Sequence, residues 1–147
     1  MENSAVKFPT EKAKRIVMFC DLRNSTDILM DFEQGIYCGI ENSGVKTFTY
    51  AEFIMDVHET SYKELYLGHE NTYAEIYGDG MMGIFPEDNA KYILENVYRL
   101  TKRMRVYNDS PSMGVFKPRI DIGFGITVGA VSFVYYPLDN RHHPVGR

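Results

Sequence analysis

Tyr73-Ala-Glu-Ile-Tyr-Gly-Asp79-Gly-Met-Met-Gly-Ile-Phe85 is a pair of short apolar runs around a Gly-Asp-Gly centre, and its reading decides the fold. β-Formers on either side of a two-residue turn predict a hairpin over 72–85 about Gly78-Asp79. Glycines on both sides of Asp79 permit the positive φ that such a turn requires. Upstream, Arg15-Ile-Val-Met-Phe-Cys-Asp21-Leu-Arg-Asn-Ser-Thr26 follows a similar plan, an apolar run closed by an aspartate. Residues 15–20 read as a buried strand. Asn24 or Ser25 can cap a helix reaching about Phe32, with Ile28, Leu29 and Phe32 on one face.

Further out, residues 51–67 carry Phe53, Ile54, Val57, Ser61 and Leu65 at helical spacing, with Gly68 as the stop. Residues 88–107 have a clear amphipathic period in Ala90, Ile93, Leu94, Val97, Leu100, Thr101 and Met104. Asn108–Lys117, with Pro111 and Gly114, reads as a loop. Arg119–Val128 and Ala130–Tyr136 read as a second hairpin about Gly129, and 33–50 as a loop or insertion. The order β-α-α-β-β-α-β-β predicts an α+β fold, a sheet derived from the ferredoxin-like βαββαβ plan with helices packed on one face. Residues 1–14 form a polar lead-in to a single domain over 15–147.

The chain has 147 residues, 44% of them hydrophobic, with 11 Tyr and 9 Phe, so it can bury a core and is not a disordered tail. Its net charge of −4 gives no reason to expect nucleic acid or an anionic membrane as partner. The basic clusters at Lys12, Lys14, Arg15 and at Arg99, Lys102, Arg103, Arg105 read as solvated surface. Two cysteines, Cys20 and Cys38, without CxxC or Cys/His spacing, argue against zinc. No apolar stretch approaches the roughly 18 residues of a spanning helix. The expectation is a cytoplasmic protein.

In the predicted sheet the first strand and the 72–85 hairpin are neighbours, so Asp21 and Asp79 meet at one edge. Taken singly, Asp21 reads as a helix cap and Asp79 as a turn residue. Taken together, two carboxylates repel unless a cation lies between them. Hard oxygen ligands at two strand ends suit two divalent ions, Mg²⁺ or Mn²⁺, holding a triphosphate. Leu22-Arg23-Asn24-Ser25-Thr26 opens a helix, whose free N–H groups and positive dipole end form a seat for phosphate.

These residues carry a family resemblance. Phe19-Cys-Asp21-Leu-Arg-Asn-Ser-Thr26 resembles the first metal motif of class III nucleotidyl cyclases, F-x-D-[IL]-x-x-[FS]-T. Glu75-Ile-Tyr-Gly-Asp79-Gly-Met-Met-Gly-Ile-Phe85 resembles their second motif, and Ile122-Gly-Phe-Gly-Ile-Thr-Val-Gly129 their glycine-rich hairpin. The resemblance implies that Asp21, Asp79 and the Leu22 carbonyl bind both metals and that Leu22, Arg23, Asn24, Ser25 and Thr26 hold the phosphates. It implies attack of a ribose 3′-oxygen on the α-phosphorus of a nucleoside triphosphate. The products are a 3′,5′-cyclic nucleotide and pyrophosphate. It further implies a homodimer with the site at its interface.

Glu75 falls at the base-selecting position, four before Asp79, where adenylate cyclases of the family usually have Lys. A carboxylate accepts but cannot donate, so it matches guanine N1/N2, uracil N3 or cytosine N4, whereas adenine also needs a donor to N1. The second base-contacting position falls near His143, neither the Asp of adenylate nor the Cys of guanylate cyclases. In this the chain is similar to the pyrimidine cyclases of Pycsar anti-phage systems, which make cyclic UMP or cyclic CMP. Guanylate cyclase is the alternative, as is a degenerate nucleotide-binding regulatory domain. A polymerase-like palm would place a second acid beside the hairpin aspartate, where this chain has Gly80. The family's motif continues G-x-x-V-N-x-A-x-R, so its asparagine and arginine are expected beyond Arg147, with Arg23 as a possible substitute.

Overall fold

The computed structural model describes residues 12–41, 44–66, 73–110 and 116–146. The expected helix stop at Gly68, strand start at Thr72, loop residues Pro111 and Gly114 and most of the lead-in lie outside the described residues. In chain order the elements are β1 (Ala13–Leu22), α1 (Ser25–Glu33), β2 (Cys38–Glu41), β3 (Gly44–Thr47), α2 (Tyr50–Leu65), β4 (Tyr73–Tyr77), β5 (Gly80–Pro86), α3 (Ala90–Asp109), β6 (Ile122–Tyr136) and β7 (Arg141–Gly146). A 3₁₀ turn over Glu87–Asn89 leads into α3.

The main sheet runs β4-β5-β1-β6-β7, every neighbouring pair antiparallel. This is the ferredoxin-like order with one strand added. Side chains alternate along β1, so Ile16, Met18, Cys20 and Leu22 face the helices and are buried, while Phe19 and Asp21 face the other way and are exposed. α2 and α3 cover the first face with Phe53, Val57, Leu65, Ile93, Leu100 and Met104. Phe85, Met18, Leu65, Ile93 and Leu100 are the largest fully buried side chains, and each contributes on the order of 1.5–3 kcal/mol by leaving water.

The opposite face carries a smaller cluster of Met82, Ile84, Val131 and Phe133, joined by Val17 and Tyr73. β6 makes this possible. It is 15 residues long, pairs with β1 through Val131 and with β7 from Val131 onward. Its far half curls over the sheet, so that Phe133 reaches Tyr73 of the opposite edge strand at a ring distance of 5.6 Å.

Three details depart from the sequence reading. Gly129 is not a turn: it pairs with Arg15 inside one continuous strand. The turn lies instead at 137–140, where Asn140 takes the positive φ of 56°. The 33–50 stretch is not all loop but holds the β2–β3 ribbon, tied down by reciprocal backbone hydrogen bonds between Cys38 and Phe116. Leu94, placed on the packed face of α3, is 61% exposed, and Asn96 is buried in its stead.

Tyr66, just past α2, closes the core. It stacks on Phe85 at 5.5 Å and lies 3.9 Å from the Cys20 sulfur. Its ring covers Gly83 so closely that a Cβ there would collide with it and with Phe85. Gly83→Ala should therefore destabilise the fold by about 1–3 kcal/mol through overpacking. Urea unfolding compared with the parent chain checks this.

Candidate active site

β1 places Asp21 on the open face at its last turn of pleat, level with Gly80 on β5 and Gly123 on β6. Asp79 occupies the β4–β5 turn immediately before Gly80. The two aspartates are thereby brought to the same rim of the sheet. The glycines around Asp79 have different causes. Gly78 takes a φ of 57°, as a glycine at the first turn position does. Gly80 has ordinary φ but no room: a Cβ there would lie 2.8 Å from the Cys20 carbonyl oxygen and 3.0 Å from Asp21 Oδ1. A bare backbone at 80 lets the Asp21 carboxylate lie beside the Asp79 turn.

Tyr50, which the sequence did not suggest, lies within electrostatic reach of both aspartates. It opens α2, fixed there by the Thr49–Glu52 capping box, and its ring packs against Phe32 at 5.9 Å. Burial raises its hydroxyl pKa, and the negative charges of Asp79 and Asp21 raise it further, so the phenol stays protonated.

The 22–26 segment behaves as a helix entry without a side-chain cap. Asn24 adopts a left-handed conformation with φ 57°, and its side chain makes no capping hydrogen bond. Its carbonyl accepts from Ile28 N–H at 3.0 Å, and Arg23 N–H donates to Asp121 at 2.8 Å. The first turn of α1 therefore presents N–H groups with no intrahelical partner. Leu22 contributes only its main chain, since its side chain is buried in the core. The Arg23 guanidinium lies over Gly123, on the strand beside Asp21.

Among the described residues no three His, Cys, Asp or Glu side chains cluster as a metal site. Two hard carboxylates beside a bare glycine nevertheless fit a divalent cation that takes its remaining oxygens from phosphate and water, as Mg²⁺ does.

Glu75 stands on the open face of β4, half-buried, and accepts hydrogen bonds from Tyr73 and Tyr77 on one carboxylate oxygen. These bonds hold its pKa below the usual 4.5, helped by the positive potential of His143 and Arg141, while burial opposes. His143 is on β7, its ring edge-on to Tyr136 at 5.2 Å and its Nε2 2.5 Å from Asp139. The curl of β6 thus gathers Glu75 and His143 into one neighbourhood although β4 and β7 end opposite edges of the strand order. No helix among the described residues is long and apolar enough to cross a membrane.

No family model and no curated protein matches the chain. Solved structures do. A bacterial light-regulated adenylyl cyclase superposes with a TM-score of 0.65 at 11% identity, over 92% of this chain and 65% of that one. The adenylyl cyclase CyaB from P. aeruginosa gives 0.64 at 20% identity, over 93% and 67%. The dimeric guanylyl cyclase domain of the RhoGC fusion protein from the aquatic fungus Blastocladiella emersonii gives 0.55 at 16%, over 92% and 69%. The chain spans less than two thirds of the length of the light-regulated cyclase. At these identities the likeness is one of fold: the chain has the fold of the class III nucleotidyl cyclase catalytic domain.

Because Glu75 has a lowered pKa in the folded chain, its contribution is present above its unfolded value of 4.5 and is lost as pH falls through the folded value. Between about pH 5 and about pH 3 the unfolding midpoint of Glu75→Gln should fall less than that of the parent. Urea melts across that range check the sign.

Proposed function

We propose that this protein is a nucleotidyl cyclase, converting a ribonucleoside triphosphate to a 3′,5′-cyclic nucleotide and pyrophosphate. The observation that carries the reading is the convergence of Asp21 and Asp79 across Gly80 at the rim of a cyclase-type sheet. Residues 15–147 are read as the catalytic domain.

Two divalent ions bound by Asp21, Asp79 and the Leu22 carbonyl would supply positive charge that acidifies the ribose 3′-hydroxyl and neutralises the leaving pyrophosphate. The protein's own part is positioning and charge. The main-chain N–H groups of 24–26, with the Arg23 guanidinium, hold the terminal phosphates at the α1 entry. The 3′-oxygen then forms a bond to the α-phosphorus as the bond from that phosphorus to the bridging oxygen of the β-phosphate breaks. The hydroxyl proton leaves to solvent.

Glu75 and His143 contact the base. An anionic carboxylate matches an N–H edge, which favours a pyrimidine product, cyclic UMP or cyclic CMP, and with it a signalling role in anti-phage defence. Guanylate cyclase activity is the second reading, since Glu75 also matches guanine N1 and N2. A homodimer with the site at its interface is supported by the exposed Phe19 and Tyr77 on the open face.

Incubation with Mn²⁺ and each of the four ribonucleoside triphosphates, with products resolved by mass, tests the activity. Asp21→Ala and Asp79→Ala should each lower turnover by at least about a hundredfold, with the unfolding midpoint retained because both residues sit at strand ends. Retained turnover in either variant would mean that the site is elsewhere. Nucleotide binding without turnover by the parent would select a regulatory domain.

A further inference from the structure

Glu75 is held in a manner that metal-assisted phosphoryl chemistry does not require. Tyr73 and Tyr77 stand two residues before and after it on the same face of β4, as the strand period dictates. Both hydroxyls donate to one atom, Glu75 Oε2, that of Tyr77 at 2.7 Å. Among the described residues Oε1 accepts no hydrogen bond. The arrangement is anchored, because the Tyr73 ring packs against Phe133 of the curled β6 and belongs to the second apolar cluster. The Tyr77 ring is half exposed and fills no core space, so its hydroxyl bond is its principal engagement with the protein.

A carboxylate oxygen has two in-plane acceptor sites. On Oε2 both are occupied by phenols, so Oε1 is the one oxygen left to accept, and its two sites diverge where guanine N1–H and N2–H run parallel. A carboxylate that reads guanine uses both oxygens, one for N1–H and the other for N2–H. Here the second contact would have to displace a tyrosine. Uracil offers one N–H, at N3, and needs one acceptor. Cytosine can give N4–H to that acceptor, but its N3, like adenine N1, also wants a donor that an ionised carboxylate does not supply, so uracil is the pyrimidine matched in full.

Resting on the reading of Glu75 as the base-contacting residue, we propose that Tyr73 and Tyr77 are positioning residues that make Glu75 a single-acceptor reader of uracil and a poor reader of guanine. They touch the carboxylate, not the base. Phenylalanine at either position would keep the ring and its packing while releasing an acceptor site on Oε2.

The test is binding of 3′-deoxy-UTP and 3′-deoxy-GTP, which lack the attacking hydroxyl, to the full chain with Mn²⁺ by titration calorimetry. The parent, Tyr77→Phe, the Tyr73→Phe/Tyr77→Phe double variant and Glu75→Ala are compared, with melting temperatures as a check on folding. The parent should bind the uridine analogue more tightly, and the double variant should move the ratio of affinities toward guanine by about tenfold. Tyr77→Phe alone, at an exposed position, should move it in the same direction. A ratio unchanged in both tyrosine variants but altered by Glu75→Ala overturns the clamp and leaves the base reader standing. A ratio unchanged in Glu75→Ala overturns the base reader itself. A parent that prefers the guanosine analogue overturns the assignment of uracil, and a parent that binds neither overturns the nucleotide site on which the proposal rests.

Discussion

The register of β1 between β5 and β6 is the constraint from which the rest of the molecule follows. With Asp21 level with Gly80 and Gly123, Ile16, Met18, Cys20 and Leu22 all face the helices. A slip of one residue would turn Asp21 and Phe19 into the core and expose Met18 and Cys20. The apolar cost of that slip fixes the position of a polar group that makes no contribution to the core. Burial on one face thus determines where chemistry can occur on the other. The Cys20 thiol records the same division, its pKa raised chiefly by burial and, in the same direction, by the exposed Asp21 carboxylate that follows it.

Close approach at the rim depends on residues that have no side chain. Gly80 leaves space that Asp21 Oδ1 enters, and Gly123 leaves space that the Arg23 guanidinium covers. The helical layer then brings Tyr50, at a capped helix start, within electrostatic reach of the same aspartates. Strand, turn and helix each contribute one element to a site that none of them forms alone. Two carboxylates, one guanidinium and an uncapped helix entry leave a region with acidic and anion-seeking groups side by side, which is the charge pattern that a metal-bound phosphate satisfies.

Much of this was legible in the sequence where physics is local. The α3 period, the buried alternation of β1 and the Gly-Asp turn each write their structure into neighbouring residues. The failures are tertiary. Gly129 resembled a turn because glycine permits one, yet its pairing with Arg15 across β1 wins, and the chain reverses later, at Asn140. Leu94 fits the helical period but lies beyond the reach of the sheet. Asp21, Asp79, Glu75 and His143 are candidates nameable from residue type and position, whereas Tyr50 is not, because its electrostatic reach to the aspartates is set by how α2 packs and by nothing in its sequence neighbourhood. The tyrosines around Glu75 carried a signal in their i±2 spacing, but strand alternation gives the same pattern to any half-buried aromatic pair.

The Glu75–His143 end of the open face is a product of curvature more than of strand order. β4 and β7 terminate opposite edges of the sheet, and a flat five-stranded sheet would hold them about 19 Å apart at the usual strand spacing. What closes that distance is the far half of β6, driven over the sheet by the burial of Val131 and Phe133 on Met82 and Ile84. Right-handed twist accumulates along a long strand, and 15 residues without a break give it length to act. Had Gly129 been the turn, β6 would have ended before Val131, the second cluster would have lost half its members, and Glu75 would have had neither His143 nor Arg141 near it. The proposed base-reading and metal-binding positions therefore rest on different physical grounds in this chain. The aspartates depend on strand register alone, whereas Glu75 and His143 depend on an apolar cluster that exists because a glycine in the middle of β6 stays extended.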